Sequence, residues 1–227
     1  MFCPNCGTKI SDQANFCDSC GHSLKKSGQE SAEKNPEEND PKLESANILW
    51  KKFLEIARAE GNELKKYNEL TSEAVWDMIG RFSHNSLNTL TENHKIDLDK
   101  QPYKTIEAVK SYLTSFVHNA YQVFIAEQIL KGVTIKKVEI KDNEDLAEEW
   151  KRVFRNHTNK IISIPDDVLT VLNAVNDQIG DGLFESNQTL KELPKAVVDG
   201  IKDSLIQQLI HGYLLGVAEN NLRNESK

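Results

Sequence analysis

The most constraining feature of the chain is a Cys-x-x-Cys-Gly segment that occurs twice near the amino terminus. Phe2–Gly7 reads Phe-Cys-Pro-Asn-Cys-Gly, and 14 residues later Phe16–Gly21 reads Phe-Cys-Asp-Ser-Cys-Gly. All four cysteines of the chain lie in these two segments: Cys3, Cys6, Cys17 and Cys20. A Cys-x-x-Cys turn brings two sulfur atoms to one side of a tight loop, where they can share one tetrahedral ion. The spacing therefore predicts a single Zn²⁺ bound by four thiolates.

The ten residues between the two pairs, Gly7–Phe16, predict a short β-hairpin that carries the two knuckles. Its apolar core would consist of only three side chains: Phe2, Ile10 and Phe16. Burial of so few side chains cannot stabilise a fold, so metal binding must supply the free energy, on the order of 10 kcal/mol or more. Because four protein ligands leave no position open for water or substrate, we expect a structural and not a catalytic site.

Residues 1–24 resemble the N-terminal zinc-ribbon domain of many bacterial and archaeal proteins. The resemblance rests on the two Phe-Cys-x-x-Cys-Gly segments and implies zinc bound by the four matching cysteines. The gap between the pairs is shorter than the ~15–20 residues of the general zinc-site pattern. Zinc ribbons are attached to membrane proteins, enzymes and transcription factors alike, so the resemblance implies a metal site and leaves the role of the protein open.

Two other uses of the cysteines are a pair of disulfides and a thioredoxin-like redox pair. Disulfides need an oxidising compartment, and redox pairs usually accompany a βαβ pattern. The chain starts Met-Phe-Cys-Pro, without the basic start and apolar run of a secretory signal. Its most apolar stretches, 121–130 and 205–217, are shorter than the ~20 residues that span a bilayer. We therefore expect a cytoplasmic protein without a membrane span, in which zinc is favoured.

The composition divides the remaining chain into a linker and a helical domain. Residues 25–45 contain one Leu and no aromatic or β-branched residue, which predicts a flexible acidic linker. Residues 46–227 place apolar side chains at helical spacing almost throughout, and this region resembles no family. We expect a mainly α domain, an irregular bundle of five or six helices.

Proline and glycine mark where several of these helices begin and end. The polar stretch 89–101 predicts a loop, after which Pro102 can occupy the first turn of a long helix that ends at Gly132. Residues 133–140 nearly alternate and indicate a short strand or an extended link.

Three further markers follow along the chain. The acidic run Asp142–Asp145 and the Pro-Asp-Asp sequence at Pro165 each suit a helix start. Gly180–Gly182 should stop the second of these helices, and the last helix should start near Pro194.

No catalytic or cofactor-binding motif is apparent, and the histidines show no metal-ligand spacing. His118 and His211 lie within apolar stripes, which is typical of satisfied core or edge histidines. The segment from His118 to Glu127 faintly echoes the segment from His211 to Glu219. The spacings differ by one residue, which favours coincidence.

The net charge is −7 and neither half of the chain is basic, which disfavours nucleic-acid binding, although a folded face can be locally basic. The preferred interpretation is a non-enzymatic interaction or adaptor protein, whose helical domain binds a protein partner or a second copy of itself. One alternative is a nucleic-acid-associated regulator that uses the ribbon with Lys9, Lys25 and Lys26. The other is an enzyme, which a polar cleft with converging His and carboxylate groups would favour and a sealed apolar core would disfavour.

Overall fold

The computed structural model describes Lys9, residues 41–94, residues 101–133, Ile140 and residues 143–225. The predicted hairpin apart from Lys9, its four cysteines, linker residues 25–40 and the extended link at 134–139 lie outside the described residues.

The described residues beyond position 40 are mainly helical, as the spacing of apolar residues predicts. A π-helical segment, Val175–Gly180, follows α6 directly. The α-helices are α1 Pro41–Ala57, α2 Gly61–Leu70, α3 Glu73–His94, α4 Tyr103–Leu130, α5 Asn143–Thr158, α6 Asp166–Ala174, α7 Asp181–Ser186, α8 Gln188–Lys191 and α9 Lys195–Glu225. Among the described residues the helix count exceeds the predicted five or six, in part because the chain between 166 and 191 breaks into three short α-helices and a π-helical segment. None of the described helices combines the length and hydropathy needed to cross a bilayer.

Helix α1 begins at Pro41, five residues before the expected start of the helical domain at 46. Two side chains of its first turns are tied to the start of α6. Lys42 Nζ lies 2.7 Å from an Asp166 carboxylate oxygen, and Ser45 Oγ donates to Asp167 at 2.6 Å. These partners are more than 120 positions away in sequence, so local composition could not indicate them.

Contacts across α3 and α4 show that these two helices run antiparallel. The rings of Trp76 and His118 are 4.7 Å apart, and Thr114 Oγ1 donates to Ser83 Oγ at 2.8 Å. Residues later in α3 therefore contact residues earlier in α4.

The same relation holds between α3 and α9. The backbone N–H of Ser72 donates to Glu219, and Gln208 Nε2 donates to Ser86 Oγ. Because α3 is antiparallel to both neighbours, α4 and α9 run parallel to each other.

Two glycines allow α9 to pack closely on α4. A Cβ atom at Gly212 would lie 2.1 Å from the Val117 carbonyl oxygen, and one at Gly216 would lie 2.4 Å from the Phe124 ring. These distances are far inside ordinary contact, so no larger residue fits at either position without movement of its neighbours.

The predicted loop at 89–101 is wrong in its first part, because α3 continues to His94. Leu87 and Leu90 are 4% and 3% exposed and anchor this stretch in the core. The polar residues between them belong to the solvent face of a helix and not to a loop.

The predicted stop at Gly180–Gly182 is also wrong, because the backbone stays helical there. Gly180 has φ −60°, and its carbonyl oxygen accepts a hydrogen bond from Tyr112 Oη at 2.9 Å. A Cβ atom at this position would lie 2.5 Å from Phe116 Cζ. The glycine is therefore needed for close packing on α4 and not for a turn.

The other markers are close to their predicted roles. Pro102 and Pro165 are the N-cap residues of α4 and α6. Gly132 follows the end of α4 with φ +71°, a conformation that glycine adopts without strain. Helix α5 starts at Asn143 with two acidic residues in its first turn, and α9 starts just after Pro194.

Candidate functional site

The four predicted zinc ligands, Cys3, Cys6, Cys17 and Cys20, lie outside the described residues. Their chemistry fits the predicted metal, because thiolates are preferred Zn²⁺ ligands and four of them complete a tetrahedral shell. Within the described part of the chain, no group of three or more His, Cys, Asp or Glu side chains could hold a metal ion.

The centre of the helical region contains two reciprocal hydrogen bonds between α4 and α9. Tyr121 Oη on α4 donates to Glu219 Oε2 on α9 at 2.6 Å. Tyr213 Oη on α9 donates to Glu127 Oε2 on α4 at 2.9 Å. Each tyrosine precedes the glutamate of its own helix by six residues, and the helices are parallel, so the two bonds are related by an approximate twofold axis.

The two reciprocal Tyr–Glu hydrogen bonds account for the sequence similarity between the segments 118–127 and 211–219. When the tyrosines are aligned, the following Ala-Glu pairs and a leucine three residues later also coincide: Tyr121, Ala126, Glu127 and Leu130 with Tyr213, Ala218, Glu219 and Leu222. Alignment on His118 and His211 hides this register, because the histidines are offset by one residue and lie in different surroundings. The matching tyrosines and glutamates occupy equivalent places on the paired helices.

Both glutamates also have cationic neighbours. Glu219 is 1% exposed and lies 2.8 Å from Arg223, which is largely buried. Glu127 is 6% exposed and lies 2.7 Å from Lys131. A buried carboxylate is tolerated when it is paired and hydrogen-bonded in this way, and removal of one partner is costly.

The two tyrosines remain protonated donors at neutral pH. Burial, followed by the charge of Glu219, raises the pKa of Tyr121 well above its ordinary value. Burial, followed by the charge of Glu127, raises the pKa of Tyr213 in the same direction. Their hydroxyl groups therefore donate to the carboxylates and do not ionise in the physiological range.

A third buried carboxylate joins α5 to α9. Glu149 is 7% exposed and accepts from Arg152 through both carboxylate oxygens, at 2.6 and 2.7 Å. Asn221 Nδ2 on α9 donates to the same carboxylate at 2.7 Å. Glu149 thus has three hydrogen bonds and serves to fasten the two helices.

A cleft of about 260 Å³ opens between α3, α5 and α9. Its lining combines aromatic, small polar and amide side chains: Phe82, Asn85, Ser86, Thr89, Leu90, Trp150, Gly200, Asp203, Ser204, Gln207, Gln208 and His211. None of these residues was predicted to belong to a site, and His211 was expected to be a satisfied core or edge histidine. No local motif could have done so, because the lining comes from three helices that are distant in sequence.

The environments of the two apolar-stripe histidines differ from each other. His118 lies at the edge of the bundle against Trp76, which is 39% exposed. His211 is surrounded by the rings of Phe82, Trp150 and Phe154, at centroid distances of 5.2–5.3 Å. Among the described residues neither ring nitrogen of His211 has a hydrogen-bond partner, so the prediction of a satisfied histidine is wrong here. Burial lowers the pKa of each histidine to about 4.

Comparison with known families gives a match to a zinc-ribbon domain at residues 2–24. The match confirms the resemblance of the amino-terminal segment to that family. The chain therefore carries an N-terminal zinc-ribbon domain, joined to a region that is mainly helical. Searches of curated proteins and of solved structures found no match to the chain.

Proposed function

We propose that this protein is a zinc-binding, non-enzymatic interaction or adaptor protein of the cytoplasm. Its zinc ribbon, residues 1–24, holds one structural Zn²⁺ through Cys3, Cys6, Cys17 and Cys20. An acidic linker, residues 25–40, joins the ribbon to a helical domain that starts at Pro41 and binds a partner or a second copy. The family match at residues 2–24 is the observation that carries this proposal.

The three buried carboxylates of the helical domain have structural partners, which counts against a catalytic use of these residues. Glu127, Glu149 and Glu219 each accept hydrogen bonds from a tyrosine, an asparagine or a cation and hold helices together. A general acid or base works best with a pKa near the operating pH. His118 and His211 have pKa values of about 4, which makes both weak bases at neutral pH.

Affinity purification of the full chain from its native cells tests the adaptor role. The wild-type chain is compared with the double variant Cys3→Ser/Cys6→Ser and with Ser19→Ala, which changes a non-ligand residue of the second knuckle. We expect the wild type and Ser19→Ala to recover the same protein partners, and the cysteine variant to lose those that bind the ribbon.

The outcomes of this experiment separate the candidate functions. If all three baits recover the same partners, the ribbon is not the recognition element. If nuclease treatment removes every partner, the nucleic-acid-associated regulator replaces the adaptor. If no bait recovers a partner under conditions that retain zinc, the adaptor proposal fails.

A further inference from the structure

The cleft between α3, α5 and α9 is lined by three residues whose side chains carry buried polar atoms that the described residues leave without hydrogen-bond partners. These atoms are Nδ1 and Nε2 of His211, Oε1 of Gln208 and Nε1 of Trp150. Gln208 uses its Nε2 to donate to Ser86, which leaves its Oε1 as an acceptor. An unpaired buried polar group costs roughly 1–3 kcal/mol. Four such atoms on the lining residues of one cleft therefore lower the stability of the empty site, and a ligand that pairs them would recover part of this cost.

The protonation state of His211 defines what this set of atoms can bind. Its pKa of about 4 makes the ring neutral at pH 7, with one nitrogen as donor and the other as acceptor. The indole N–H of Trp150 adds a second donor, and Gln208 Oε1 adds a second acceptor. The cleft therefore offers two donors and two acceptors, all uncharged.

The charge of the lining selects against anions. Asp203 is the only acidic residue among the described residues that line the cleft, and no Lys or Arg lines it. A phosphate or carboxylate group would meet the field of Asp203 with no compensating cation. An uncharged ligand avoids this repulsion.

The size and walls of the cleft favour a flat ring system. An engineered apolar cavity of about 150 Å³ accommodates benzene. A cleft of about 260 Å³ therefore has room for a bicyclic ring. Phe82 and Trp150 supply aromatic walls, whose π-systems pack well against another planar ring.

We infer that this cleft binds an uncharged, purine-sized heteroaromatic molecule that both donates and accepts hydrogen bonds. The unpaired atoms are buried, so binding requires rotations of the lining side chains that expose them to the cleft. This site is independent of the zinc ribbon and of the proposed adaptor role.

Two-dimensional ¹H–¹⁵N NMR of the full-length, zinc-loaded protein tests the inference. The three indole N–H signals, from Trp50, Trp76 and Trp150, are assigned with single Trp→Phe variants. Adenine and hypoxanthine should move the Trp150 signal saturably, with a Kd below about 1 mM, and leave that of Trp76 in place. AMP adds a phosphate and indole lacks the acceptors, so each should bind at least tenfold more weakly.

A matched pair of rim variants controls for folding. Asn85 lines the cleft, whereas Asn88 is exposed on the same helix and does not line it. Asn85→Phe should reduce purine affinity at least tenfold, and Asn88→Phe should leave it unchanged. The inference is overturned if neither purine moves the Trp150 signal, if AMP binds as tightly as adenine, or if Asn85→Phe binds like the wild type.

Discussion

Replacement of Gly212 with alanine should force α9 away from α4. The new Cβ atom would lie 2.1 Å from the Val117 carbonyl oxygen and 2.9 Å from the Ala120 Cβ, whereas ordinary contact starts at 3.4 Å. The oxygen is a backbone atom of a buried helix, so it cannot rotate away. Relief of the clash requires the helices to separate, which also stretches the Tyr–Glu bonds beside the contact.

The expected loss follows from two opposing effects. Overpacking of a close-packed core costs up to about 3 kcal/mol. Alanine recovers about 1 kcal/mol relative to glycine in a helix interior. The net decrease in the free energy of unfolding is about 2 kcal/mol. Gly216→Ala should lose less, about 1 kcal/mol, because its closest contact is the Phe124 side chain, which can adjust.

Urea denaturation followed by far-UV circular dichroism measures these changes. With a slope of about 2 kcal/mol/M, a loss of 2 kcal/mol lowers the midpoint by about 1 M. Gly80→Ala is the matched control, because its Cβ would meet no atom within 4 Å in the interior of α3. We expect that variant to gain roughly 0.5–1 kcal/mol. If Gly212→Ala proves as stable as Gly80→Ala, the close packing of α4 and α9 described above is incorrect.

Three further predictions concern the buried tyrosines, the histidines and zinc. Tyr121→Phe removes a donor from the buried Glu219 and should lower the free energy of unfolding by about 1–3 kcal/mol. The control Tyr103→Phe, at a side chain 76% exposed, should change it by less than about 0.5 kcal/mol. Equal effects of the two variants in urea denaturation would contradict the buried hydrogen bond between Tyr121 and Glu219. Burial lowers the pKa of His118 and His211 from 6.5 to about 4, so between pH 4 and pH 6.5 the unfolded chain binds more protons than the folded chain. The free energy of unfolding should therefore fall as the pH drops from about 6.5 to about 4. Urea midpoints across this range should fall less steeply for His211→Phe, and an unchanged slope would refute the role of that histidine. Metal analysis should find one zinc per chain, with thiols that react only after chelation, and metal-free protein with freely reactive thiols would disprove the zinc site.

Local signals in the sequence predicted several features of the helical region. Pro102 and Pro165 mark helix starts because proline has a fixed φ and lacks the N–H that the first turn leaves unpaired. Gly132 marks a helix end because it adopts a positive φ. Each of these effects depends on a residue and its immediate neighbours, so no knowledge of the tertiary fold was needed.

Glycine inside the bundle could not be interpreted in the same way. Gly180 was expected to stop a helix, yet it lies in helical backbone and makes room for Phe116 on α4. The sequence shows the missing Cβ but not the distant helix that fills its space. The same limit applies to the tyrosines and glutamates of α4 and α9. Their equal spacing in the two helices does not show that they are hydrogen-bonded to each other until the two helices are known to pack side by side.

The sequence by itself predicted the zinc-binding chemistry, because the four cysteines expected as ligands lie within 18 consecutive residues at a spacing typical of a tetrahedral site. It also determined that the chain beyond the linker is mainly helical, because the period of apolar residues is a local property. Only the tertiary structure decided that α4 and α9 are parallel and that the glutamate of each helix accepts a hydrogen bond from the tyrosine of the other. It alone also decided that His211, Gln208 and Trp150 line one cleft. These features arise from contacts between residues that are distant in sequence: Tyr121 and Glu219 are 98 positions apart, and Ser86 and Gln208 are 122 positions apart. Side chains at such separations are brought together by packing and not by sequence proximity.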